Sequence, residues 1–225
     1  MKTHLESGKT EVAVKGNTGE SFSLTHVFND EGIILGKMNT HNFNTFFYIH
    51  NRSQFNTIPP LHSEEFTLHE YRKPIHAFYL EAKEDPEFKK EKKPLVVLVH
   101  GGPHGLVEPS LTLFRYMLLK CGYAILLPNF SGSAGFGSEC LNGALGNIGK
   151  VDGDEIIDLL KSVLEERPYL DRERVHTWGW SYGGFMSATF GSKYHEYFRS
   201  AILINGVVSI PATLWSSDIP EWNTV

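Results

Sequence analysis

The sequence predicts an α/β fold, a largely parallel sheet with helices packed on its faces. Three observations carry that prediction. Pro94-Leu-Val-Val-Leu-Val-His100 is an unbroken apolar run, the pattern of a strand buried on both faces of a parallel sheet. Over residues 155–166, apolar side chains fall at 156, 157, 159, 160, 163 and 164, the spacing of a helix that covers a sheet. Strand-like and helix-like segments alternate from residue 94 to 204, which calls for right-handed crossovers between parallel neighbours.

The first sixty residues differ from the rest. Residues 21–28, 32–38 and 45–50 read as short strands separated by Asn-rich and Asn-Asp-Glu-Gly turns, without helical periodicity, which suggests an antiparallel β piece. Three or four such strands would make one propeller blade but bury too little surface to stand alone. Pro59-Pro60 marks a boundary, dividing the chain into a β-rich piece over 1–62 and an α/β domain over 63–225. Residues 66–68 and 75–80 form an antiparallel pair around Tyr71-Arg-Lys-Pro74. After the first buried strand come a helix over 111–119, a second buried strand over 123–127, and the amphipathic helix over 155–166. Asp152 and Asp154 stand at that helix's start, where carboxylates suit free N–H groups and the helix dipole, and Pro168 lies just past its end. Residues 174–178 make a third buried strand, 182–190 a helix, and 200–204 a fourth buried strand.

Composition excludes several classes. With 41% hydrophobic and 21% charged residues, the 225-residue chain has a soluble globular balance rather than a disordered one. A net charge of −5 and a pI near 6.1 give no reason to expect nucleic acid or an anionic membrane as partner. The mixed-charge run over 81–93 reads as a solvated loop. No apolar run reaches the length of a membrane span, and the N-terminus lacks the hydrophobic segment of a secretory signal. Cys121 and Cys140 have neither a disulfide framework nor metal-ligand spacing, so they read as free thiols in a reducing compartment. The sequons at Asn51 and Asn129 then read as chance matches. The expectation is a cytoplasmic protein.

Gly179-Trp-Ser181-Tyr-Gly183 is the chemically informative stretch. Chance would produce roughly 0.15 Gly-x-Ser-x-Gly patterns in a chain of this glycine and serine content, so context must decide. A nucleophile elbow follows a buried strand and opens a helix, and here a strand precedes Ser181 while small residues begin a helix after it. The alternative is a buried turn serine. A serine nucleophile needs donors for the oxyanion. The Tyr182 N–H is one, at the positive end of the helix dipole. His100-Gly101-Gly102-Pro103-His104, directly after the first buried strand, is placed to supply the other, its glycines allowing close backbone approach. The alternative there is a plain Gly-rich strand-to-helix turn.

Four segments together resemble the prolyl oligopeptidase family of α/β-hydrolase peptidases. They are Val99-His-Gly-Gly-Pro-His104, Pro128-Asn-Phe-Ser-Gly-Ser-Ala-Gly-Phe-Gly137, the run from Leu170 to Gly184, and Ser217-Asp-Ile-Pro-Glu-Trp222. The first and last are similar to the acylaminoacyl-peptidase branch. The resemblance implies a β-propeller capping an α/β-hydrolase domain, so that residues 21–50 correspond to the end of a last blade. It implies Ser181 as nucleophile, with the N–H groups of Gly102 and Tyr182 as the oxyanion hole. The implied reaction releases an N-acylated amino acid from the blocked end of a short peptide, with no cofactor and no metal, and a homo-oligomer is a possibility within the family. One departure stands out: the family's Asn-x-Arg-Gly-Ser is here Asn129-Phe-Ser131-Gly-Ser133, which removes a multi-donor anchor.

In such hydrolases an acid and then a histidine follow the serine. After Ser181 the chain offers one histidine, His195, and the acids Glu196, Asp218, Glu221 and the terminal carboxylate. His195 precedes Asp218 and Glu221 and reads as a surface residue at a helix end. The expectation is therefore a partial chain, inactive alone for want of the acid and base, with an unpaired sheet edge open to association. A carboxylesterase or another oligopeptidase of the same fold, and a non-catalytic truncated product, are the competing readings.

Overall fold

The computed structural model describes the backbone of residues 2–3, 10–11, 20–28, 32–39, 45–50, 54–57, 66–72, 75–83, 92–108 and 112–217, and side chains from residue 67 onward, Leu113 excepted. The Pro59-Pro60 boundary, most of the charged loop over 81–93, and Asp218 and Glu221 lie outside the described residues.

Two compact units divide the chain: residues 1–64 with 110–113, and 65–109 with 114–225. The first contains β1 (Lys2–Thr3) and β2 (Thr10–Glu11), paired antiparallel, and a four-stranded antiparallel meander. Its strands are β3 (Glu20–Phe28), β4 (Gly32–Asn39), β5 (Thr45–His50) and β6 (Gln54–Thr57), in that spatial order.

The second unit is a six-stranded sheet. In chain order its strands are β7 (Phe66–Tyr71), β8 (His76–Ala82), β9 (Lys93–Val99), β10 (Ala124–Asn129), β11 (Leu170–Trp180) and β12 (Ser200–Ile204), and in space they run β12-β11-β9-β10-β8-β7. Neighbours from β12 to β10 are parallel, and β8 and β7 join antiparallel. The helices are α1 (Leu113–Lys120), α2 (Ser138–Asn142), α3 (Val151–Glu166), α4 (Tyr182–Lys193) and α5 (Ile210–Ser216). Strand alternation builds the core on one face. Leu95, Val97 and Val99 of β9 with Ala124 and Leu126 of β10 meet Ile156, Leu160 and Val163 of α3 and Met186 and Phe190 of α4. On the other face α1 sets Phe114 against Trp178, ring centroids 4.7 Å apart.

Two expectations are corrected. The apolar strand over 200–204 is not buried: Ile202 is 50% exposed, and Leu203 and Ile204 are exposed as well. Its composition suits a covered strand, but among the described residues only β11 pairs with it. Helix α3 begins four residues earlier than its apolar periodicity indicates, at Val151, so Asp152 lies inside the first turn and Lys150 occupies the cap position without a side-chain bond. Short helices α2 and α5 carry no periodicity signal. The start of α5 was nonetheless readable: Ser209 caps it, accepting the Ala212 N–H, and Pro211 sits in its first turn.

Candidate active site

The turn between β11 and α4 explains its own sequence. A Cβ on Gly179 would lie 1.9 Å from the Gly183 carbonyl oxygen, and one on Gly183 would lie 2.1 Å from that of Val99. No side chain fits at either position. Between them Ser181 adopts φ 56° and ψ −118°, a left-handed conformation sparsely used by non-glycine residues, held because its surroundings over-determine it. The Ser181 N–H donates to the Ile204 carbonyl at 2.9 Å, and the Phe185 N–H to the Ser181 carbonyl at 3.1 Å. Tyr182 is the first residue of α4, so its N–H has no intrahelical acceptor and sits at the positive end of the helix dipole.

The loop after β9 meets this turn. A Cβ on Gly101 would lie 3.5 Å from the Ser181 Cβ and 3.3 Å from the Trp180 carbonyl oxygen, so the loop's bare backbone lies against the serine. Gly102 has φ 133°, a Cβ there would sit 2.4 Å from the Gly105 nitrogen, and the Gly102–Pro103 peptide bond is cis. The structure thus brings together Ser181, Tyr182 and the glycine loop that the sequence singles out.

What holds the loop was not legible in the sequence. His100 stacks on Phe130 with centroids 4.4 Å apart. Its Nδ1 lies 2.7 Å from the Gly101 carbonyl oxygen, which can only accept, so Nδ1 carries the proton. Nε2 is then the acceptor for the Ser133 hydroxyl at 2.9 Å. Burial pushes the His100 pKa below its ordinary value and keeps the ring neutral. His104 Nδ1 bonds the Gly132 carbonyl at 2.9 Å, and the Ala134 N–H bonds that of Gly105. The absent arginine does not leave the neighbouring loop loose. Ser131 donates both its N–H and its hydroxyl to the Glu155 carboxylate, at 2.8 and 2.7 Å.

Among the described residues no histidine hydrogen-bonds Ser181. His100 has both nitrogens engaged. His195 is an exposed residue of a 3-10 turn just past the far end of α4, roughly 18 Å along the helix axis. No group of His, Cys, Asp and Glu among the described residues is arranged to hold a metal ion, and no described helix is long and apolar enough to cross a membrane. The geometry offers a serine on a constrained turn at the N-terminus of α4, with the backbone of Gly101 packed against it.

The family model described as Prolyl oligopeptidase family matches residues 109–224, more than half of the chain. The chain belongs to the prolyl oligopeptidase family. Its curated relatives include the acylamino-acid-releasing enzymes of Sus scrofa, 37% identical over 65% of this chain and 20% of that protein, and of Homo sapiens, 38% identical over 60% and 18%. The chain thus spans about a fifth of the length of these relatives. Solved structures show the same fold. An acylaminoacyl peptidase in complex with Z-Gly-Gly-Phe-chloromethyl ketone superposes with TM-score 0.71 at 24% identity, covering 89% of this chain and 33% of that one. The Pyrococcus horikoshii acylaminoacyl peptidase does so with TM-score 0.74 at 23% identity, covering 96% and 36%. The second unit is therefore part of an α/β-hydrolase domain.

Proposed function

We propose that the chain is the nucleophile-bearing part of a serine peptidase that releases N-acylated amino acids from the blocked ends of short peptides. The observation that carries this reading is Ser181 at φ 56° with the backbone of Gly101 packed against it. Ser181 Oγ adds to the scissile carbonyl carbon and gives up its proton to a base. The carbonyl oxygen takes the negative charge and is met by the N–H groups of Gly102 and Tyr182. Collapse breaks the C–N bond, the leaving amine takes a proton, and water then hydrolyses the Ser181 ester. The substrate class is supported by the similarity to acylamino-acid-releasing enzymes.

No base reaches Ser181 among the described residues, so the chain by itself should turn over slowly, keeping binding and oxyanion-hole effects of roughly 10³–10⁴ over water. The meander over 20–57 we read as a propeller blade, and the free thiols Cys121 and Cys140 favour the cytoplasm. Substrate class is tested with acetyl-alanyl anilide and simple esters, supplying imidazole as the base. Release of acetyl-alanine that is lost in Ser181→Ala is the expected result; cleavage of esters alone would overturn the peptidase assignment.

A further inference from the structure

One buried charge near the site has no part in the chemistry above. Asp152 is fully buried, and its closest partners are uncharged donors. Its Oδ1 accepts the Gly153 N–H at 3.0 Å, and its Oδ2 accepts the hydroxyl of Tyr182. A buried carboxylate is costly unless something fixed requires it, and no ion pair of Asp152 is seen among the described residues. Tyr182 is the residue directly after Ser181. Its ring lies 5.9 Å from Phe130 and 5.5 Å from Phe185, so the side chain is clamped along its length and tied at its tip.

Resting on the reading of Ser181 as nucleophile, we propose that Asp152 is a positioning residue, fixing Tyr182 and through it the backbone N–H that faces the oxyanion. A turn as constrained as Ser181 keeps its geometry only while its neighbours hold it. The Ser181 N–H bond to Ile204 and the wedge of Gly183 against Val99 restrain the backbone on two sides. The Tyr182 side chain is the third restraint, and Asp152 is its anchor. The same turn of α3 provides an internal control. Asp154 accepts the hydroxyl of Tyr194 at the opposite end of α4, so that link joins the same two helices without touching the elbow.

The test is the rate of Ser181 phosphonylation by a fluorophosphonate, read by intact mass with imidazole present, beside the urea midpoint of each variant. Asp152→Ala and Tyr182→Phe should each slow labelling about tenfold, since small misplacements of aligned groups are costly. The double variant should be no slower than the slower single. Asp152→Asn, which keeps an oxygen acceptor, should recover to within about threefold of the parent. Tyr194→Phe should lower stability while leaving the rate unchanged. Parent-like rates in Asp152→Ala and Tyr182→Phe, an Asn variant no better than Ala, or equal slowing by Tyr194→Phe would each overturn the positioning role while leaving Ser181 intact. If the parent chain does not label at Ser181, the nucleophile reading fails first and the positioning role with it. Should the Ala variant not fold, the Asn, Tyr182→Phe and Tyr194→Phe comparisons decide alone.

Discussion

At Gly183 a single methyl group would collide with the Val99 carbonyl, whereas a Cβ on Gly146 would meet nothing within 4 Å. Gly183→Ala should therefore cost about 3 kcal/mol by overpacking, and Gly146→Ala, at φ 75°, only about 1 kcal/mol from its backbone conformation. Urea denaturation of both variants distinguishes them. His100 gives a pH dependence whose sign follows from its burial. The folded state holds the ring neutral, with a pKa below the ordinary value of about 6.5, so its contribution is fully present above that value. As pH falls, the unfolded chain takes up the proton first and stability drops through the folded pKa. The urea midpoint of the parent should fall between pH 8 and pH 5 by more than that of His100→Gln. At this scale the elbow was legible because its constraints are local: two glycines flank a serine after an apolar run. The links from Asp152 to Tyr182 and from His100 to Ser133 span 30 and 33 residues, and no spacing rule announces them.

Elements explain why the turn stands where it does. β11 is buried at Val175, Thr177 and Gly179, and α4 buries Met186, Ser187 and Phe190 against the sheet, so strand and helix are each fixed before the chain turns between them. Phe190 is fully buried and stacks on Phe198 with ring centroids 5.1 Å apart. Phe190→Ala should cost about 3–5 kcal/mol in urea denaturation, the range for emptying a large core site. The apolar runs of β9 and β10 and the period of α3 were readable because each reports burial directly. The burial of β12 was misread for the same reason. Composition states which face a strand could bury, and the cover must come from elsewhere in the fold.

Across the molecule, β12 is the consequence of that gap. Among the described residues β12 is the last strand of its sheet, and a groove of about 390 Å³ runs from Phe114 and Met117 of α1 across Trp178 to Ile202. An exposed apolar edge invites pairing with another chain. The 225-residue chain should associate with rising concentration in sedimentation, and Ile202→Lys should reduce association without shifting the urea midpoint. The central claim, that Ser181 is a nucleophile held by the fold, is tested most directly by a fluorophosphonate with mass mapping of the adduct. We predict a single adduct on Ser181 in the folded chain, formed about tenfold or more faster when imidazole supplies the base, and none in urea or in Ser181→Ala. An adduct on another residue, or equal labelling of Ser181 in folded and unfolded chains, would contradict it.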